Sequence, residues 1–263
     1  TENQETCSST PVIIENERLE GSIDLCGAKI NEIFLKKFNT STDENSDYVQ
    51  LFSNSSYWVN AGWLAPRGAN FLLPDENSLW KLESQSTILS PSSPVIISWE
   101  NEQGLKFFQT YSVDENYLFT FKQEVENNSL GLITLFPFNQ LSRQELPSDK
   151  SIGLLHEGPT GWFDDELEEE DYRREFNSGW IGIRDKYWAT AISSLDEGAK
   201  KAHFKMSSFD NKNIYRIGYT GEAISASAGS KLSSSGLIFL GAKEVDLIDN
   251  YSNNKNLPNF DLL

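Results

Sequence analysis

Hydrophobic and polar positions alternate most clearly over Tyr117 to Val125, where Tyr117, Phe119, Phe121 and Val125 share one side and Leu118, Thr120, Lys122 and Glu124 the other. A period of two is the mark of a half-buried strand. The same period runs through Arg18 to Leu25, is broken at Cys26-Gly27-Ala28, and resumes from Ile30 to Phe38, which predicts two strands joined by a turn of small residues. Val95 to Trp99 and Leu105 to Tyr111 flank Glu102-Gln103-Gly104, a hairpin signal. Asn127-Asn128 then turns into Leu130 to Phe138, and Trp180 to Ile192, His203 to Phe209, Ile214 to Thr220 and Leu232 to Leu240 are expected as four further strands. Past Gly241 the period changes. Val245, Ile248 and Tyr251 fall at helical spacing, with Glu244, Asp246 and Asp249 facing elsewhere.

About a dozen short strands, without amphipathic helices between them, predict an all-β fold: a large antiparallel β-sandwich with a short C-terminal helical segment. The expected organisation is a flexible lead-in over 1–16, a sandwich over 17–241 and a helical segment over 242–263. Asn39 to Asp47 is a polar loop, Pro147 to Thr160 is irregular, and the acidic run from Asp164 to Asp171 is expected as a short helix or mobile loop.

Composition narrows the function more than the fold. A formal net charge of -17 repels phosphate backbones and excludes nucleic acid as a partner. Aromatic residues reach 12%, with seven Trp and sixteen Phe, enough apolar volume for a true core. Trp180, Tyr187 and Trp188 are expected to fill that core. No apolar run approaches the roughly 18 residues that span a bilayer. The chain opens on Thr1 and shows no signal peptide, so it is expected to be a mature or excised fragment. Cys7 and Cys26 leave two readings open, a disulfide or two free thiols.

Candidate chemistry is sparse. His156 and His203 would have to converge with a carboxylate to do acid–base work, and lone histidines are usually structural. Asp164, Asp165, Glu166, Glu168, Glu169, Glu170 and Asp171 lack the ligand spacing and central Gly of a calcium loop, so a solvated, self-repelling face is expected. No nucleophile elbow, Walker loop, dinucleotide-binding glycine pattern or zinc motif is present in the sequence. The residues point to no enzyme, no catalytic residue, no cofactor and no metal.

The segment Gly179-Trp180-Ile181-Gly182-Ile183-Arg184-Asp185-Lys186-Tyr187-Trp188-Ala189-Thr190-Ala191 resembles the most recognisable periplasmic stretch of YidC-type membrane-protein insertases, alphaproteobacterial ones in particular. Gly21 to Leu35, Asp114 to Asn127 and Leu154-Leu155-His156-Glu157-Gly158 are similar to other parts of that domain. Phe239 to Glu244, Leu247 to Tyr251 and Asn259 to Leu263 resemble the helix that leads toward the first core membrane span. Two departures stand out, Cys26 in place of a small or polar residue and the density of the acidic run.

The resemblance implies a β-supersandwich of the galactose-mutarotase type. It implies a periplasmic domain of a multi-pass inner-membrane protein in a Gram-negative bacterium. The whole protein would insert and help fold inner-membrane proteins, alone or with the Sec translocon and its SecD–SecF accessory proteins. Nascent inner-membrane proteins would engage a membrane part outside this chain, and the domain itself is expected as a non-catalytic monomeric scaffold. Val245, Leu247, Ile248 and Tyr251 are the candidate interaction residues; covering a sheet edge is the plainer role for the same helix. A carbohydrate-binding or sugar-epimerase-like sandwich is the alternative from another class, and a free-standing chaperone a third.

Overall fold

The computed structural model describes residue 7 and residues 9–43, 46–54, 56–146, 157–169, 173–209, 212–254 and 257–263. The chain opens with β1 (Val12–Glu15), β2 (Leu19–Asp24), β3 (Lys29–Asn39), β4 (Tyr48–Phe52), β5 (Tyr57–Leu64) and two short pieces, β6 (Lys81–Leu82) and β7 (Ile88–Leu89). Next come β8 (Val95–Glu100), β9 (Leu105–Val113), β10 (Leu118–Asn127), β11 (Ile133–Gln144), β12 (Gly158–Phe163), β13 (Glu166–Glu169) and β14 (Glu175–Phe176). The rest is β15 (Gly179–Arg184), β16 (Trp188–Ser194), β17 (Lys200–Phe209), β18 (Lys212–Gly221), β19 (Ile224–Ala226) and β20 (Lys231–Ala242), then helix α1 (Val245–Asn254) and a 3-10 turn over Phe260–Leu262.

These strands form two sheets, an all-β sandwich as expected. An 11-stranded sheet runs β14-β17-β18-β11-β5-β3-β2-β1-β7, with β4 added to β3 and β19 to β11. A 9-stranded sheet runs β13-β12-β15-β16-β20-β10-β9-β8-β6. Among the described residues every strand pairing is antiparallel except that of β1 with β7. Side chains of alternate positions meet between the sheets: Phe107, Phe119 and Phe121 from one, Val59, Leu141 and Ile217 from the other, all buried. Polar side chains also bond across the interior. Gln109 Nε2 donates to the Ala61 carbonyl at 3.0 Å, and Tyr57 and Thr190 bond through their hydroxyls.

Burial explains where alternation fails. Every residue of β12 and β15 is buried; β15 carries the opposite sheet on one face and the C-terminal segment on the other. A strand covered on both faces reads as continuous hydrophobicity.

Several expectations are corrected. Trp180 to Ile192 is a hairpin and not one strand: the Asp185 amide bonds the Trp188 carbonyl at 3.0 Å and closes a turn at Lys186-Tyr187. Tyr187 is 60% exposed in that turn, while Trp180 is fully buried. The stretch expected as a flexible lead-in contains β1, whose Val12 and Ile14 are buried and pair with β2. Its polar flanks hid a strand of only four residues. Cys7 and Cys26 form a disulfide, which settles the two open readings. The acidic run contains strand β13 where a helix or loop was expected. It pairs with β12, and its ends are tied by nearby residues: Arg174 pairs with Glu166 and Glu168, and Asp164 accepts the amides of Asn177 and Ser178. Its last two acidic residues, 170 and 171, lie outside the described residues.

Candidate functional site

Helix α1 begins where the Glu244 carbonyl accepts the amides of Leu247 and Ile248 at 3.1 and 3.0 Å, with Asp246 in the first turn favourable to the helix dipole. Of the four residues singled out here, Ile248 and Tyr251 point into the protein and are buried, and Leu247 is half-buried. Val245, the fourth, is 71% exposed. The structure therefore separates them: three lie against the sandwich and one faces outward. Val245, in the first turn of α1, lies beyond the part of the helix that packs on the sandwich.

Tyr251 is the pivot of this docking. Its hydroxyl donates to Asp114 Oδ2 at 2.7 Å and accepts the Tyr117 amide at 3.4 Å. Its ring meets Phe239 at 5.9 Å between centroids. Burial, then the neighbouring Asp114 carboxylate, pushes the Tyr251 phenol well above its ordinary range. Just before the helix, Glu244 accepts from the Tyr117 hydroxyl at 2.7 Å and from Arg18, whose guanidinium stands over the Tyr117 ring at 5.3 Å. Burial raises Tyr117 to about 12. Asn16 donates to the carbonyls of Asp114 and Asn116 at 2.7 and 3.0 Å. The β1–β2 turn, the β9–β10 turn and the start of α1 are thus one hydrogen-bonded group.

Past α1 the chain folds back across β15. Trp180 donates its indole N–H to the Pro258 carbonyl at 3.1 Å, and its ring meets Phe260 edge-on at 5.6 Å. Phe260 also packs on Phe239 at 5.1 Å, and Leu257 and Leu263 are buried beside it. Arg184 donates to the Leu262 carbonyl and to Glu169 Oε1, and Lys243 bonds the Tyr187 carbonyl through its amide at 2.9 Å. Asp185 receives a bidentate pair from Arg143 of β11 at 2.8 and 3.0 Å. The long motif from Gly179 to Ala191 is therefore the seat of the C-terminal segment. Gly182 serves the close strand contact, since a Cβ there would lie 2.2 Å from the Thr190 carbonyl. Sequence patterning missed Trp180 and Arg184 as part of this site; a strand with no polar face was the available signal.

A groove of about 520 Å³ lies between this segment and the sheet, lined by Arg184, Lys243, Val245, Asp249, Asp261 and Leu262 among others. On the outer face of the other sheet a second hollow of about 820 Å³ contains His203. His203 Nε2 lies 3.4 Å from Gln140 Oε1, and burial with the nearby Lys205 lowers its pKa to about 4. It is neutral at neutral pH and its side-chain partner, Gln140, is an amide, which offers no proton relay. His156 lies outside the described residues. No helix among the described residues is long and apolar enough to cross a membrane.

Comparison with known proteins follows the same lines. The sequence profile of the family described as the YidC periplasmic domain matches residues 11–263. A membrane protein insertase YidC of Nitrobacter hamburgensis is 34% identical over 97% of this chain and 46% of its own length. That of Rickettsia bellii is 32% identical over 98% of the chain and 48% of its own length. The chain thus spans about half the length of the curated relatives it matches. Among solved structures, a galactose mutarotase related enzyme from Lactobacillus acidophilus aligns at TM-score 0.58 and 12% identity, over 88% of this chain and 97% of the other. A putative aldose 1-epimerase from Escherichia coli aligns at 0.54 and 10%, over 88% and 98%. At such identities these two share the fold and nothing further is drawn from them.

Proposed function

The chain belongs to the YidC periplasmic domain family, and on that premise we propose that it is the non-catalytic scaffold of a membrane-protein insertase, held beside the membrane part in a set orientation. The whole protein, in this reading, inserts and helps fold inner-membrane proteins. It works alone or with the Sec translocon and SecD–SecF, and nascent chains engage a multi-pass membrane part outside this sequence. The relatives are named for insertion and not for a catalysed reaction, which supports a role without turnover.

The observation that carries the proposal is the docking of the C-terminal segment. Residues 245–263 are fastened at two places, Tyr251 on Asp114 and Pro258 to Leu262 on Trp180 and Arg184. Arg18, on the first hairpin, reaches the same end through Glu244. A rigid joint at that end would transmit the orientation of the sandwich to whatever adjoins it. Division into lead-in, sandwich and C-terminal segment follows this scheme, with β1 counted in the sandwich.

The test is complementation of an insertase-depleted Gram-negative strain by the full-length protein. Deleting most of the sandwich is expected to leave growth largely intact, whereas disrupting the 245–263 segment impairs insertion more. The reverse order would overturn the scaffold reading. The sugar-epimerase alternative has fold likeness alone behind it.

A further inference from the structure

The groove beside α1 is chemically divided. Val245 and Leu262, 71% and 39% exposed, make an apolar rim. Lys243 and Arg184 supply positive charge to the lining. Glu169, Asp249 and Asp261 supply negative charge; Glu169 pairs with Arg184, Asp249 and Asp261 are exposed, and Asp249 stands one turn beyond Val245 on the same face of α1. Lys243 is half-buried; Asp185 and Glu157 act on it through space, but no carboxylate forms an ion pair with it within 4.0 Å among the described residues. Arg184 is spent on Glu169 and the Leu262 carbonyl through its terminal nitrogens, but its buried Nε–H has no acceptor among the described residues.

We propose that this groove binds a zwitterionic aminophospholipid at the bilayer surface, its phosphate on Lys243 and Arg184, its ammonium on Asp249 and Asp261, and its upper acyl chains on Val245 and Leu262. The inference rests on the placement of the domain beside a membrane. Charge complementarity selects the occupant. An anionic headgroup alone would meet three carboxylates, Glu169, Asp249 and Asp261, on a chain of net charge -17. A purely apolar guest would leave Lys243 desolvated and unpaired, which is costly. Only a ligand carrying both signs next to an apolar tail satisfies every part of the lining. Burial, and then Arg184, lowers the pKa of Lys243, and a bound phosphate would relieve both.

Flotation of the 263-residue chain with vesicles tests this directly. Vesicles of phosphatidylethanolamine and phosphatidylcholine are expected to carry the protein, and vesicles of phosphatidylglycerol to carry it less. Val245→Asp and Lys243→Glu should each lower the bound fraction about tenfold, as loss of one apolar or charged anchor. Lys205→Glu, on the outer face of the other sheet, should leave it unchanged. Thermal melts of each variant establish that it is folded. No flotation, equal or stronger flotation with phosphatidylglycerol, insensitivity to both groove variants, or occupation of the groove by an amphipathic peptide in preference to vesicles would each overturn the proposal. Insertion activity is scored separately in the complementation assay. Absence of lipid binding by the parent protein with intact insertion sinks this inference alone, and preserved lipid binding without any effect of 245–263 on insertion sinks the scaffold reading.

Discussion

Trp180 holds Pro258: the indole N–H donates to that carbonyl at 3.1 Å across 78 residues of sequence. The same ring stacks edge-on against Phe260, so a single side chain fastens the C-terminal segment by a hydrogen bond and by apolar contact. Trp180→Phe should cost ~1 kcal/mol, the worth of the bond. Trp180→Ala should cost roughly 3–5 kcal/mol for the cavity it leaves. Hydrogen exchange will show residues 245–263 losing protection in the alanine variant before the rest of the sandwich does.

The ion pair of Arg143 with Asp185 ties β11 to the β15–β16 turn, both side chains largely out of water. Asp185→Ala strands a buried guanidinium and should destabilise by about 3–5 kcal/mol. Arg143→Met combined with Asp185→Leu should recover most of that loss. Urea denaturation of the two single variants and the double variant reads the coupling.

Lowering the pH should weaken the fold through His203. Its pKa is about 4 in the native protein, below the ordinary 6.5, because burial disfavours the imidazolium. A depressed value means the unfolded chain takes up the proton first. The contribution is therefore complete above pH 6.5 and is lost as pH falls toward 4, by at most ~3 kcal/mol. Denaturation midpoints for the parent and His203→Gln, compared at pH 7 and 4.5, should show a steeper acid loss in the parent. Equal losses would refute the assignment.

The disulfide between Cys7 and Cys26 closes a loop of 19 residues around β1. Constraint of the unfolded chain by a loop of that length is worth about 3 kcal/mol. Cys26→Ser should lower the melting temperature, and dithiothreitol should lower that of the parent and leave the variant unaffected.

Gly182→Ala places a methyl 2.2 Å from the Thr190 carbonyl, a backbone atom that cannot turn aside. A loss of ~3 kcal/mol is expected by thermal melt, with β15–β16 pairing the first element to suffer.

What the residues alone determine is local. Period-two alternation at Tyr117 to Val125 marks a strand with one wet face, and β10 is that strand. Helical spacing at Ile248 and Tyr251 marks α1, and both are buried on it. The long aromatic motif was enough to point to the family that the profile match shows. The tertiary structure decided what depends on partners far along the chain. Which of Val245, Leu247, Ile248 and Tyr251 meets solvent depends on where the sheet lies beneath α1. The acidic run became a strand because β12, held in turn by β15, offers it an edge to pair with. Cys7 meets Cys26 where β1 lies paired against β2. Nearest-neighbour patterns carry the period of burial, but long-range contacts choose which face is buried and against what, and no pattern within ten residues encodes the position of Pro258 over Trp180.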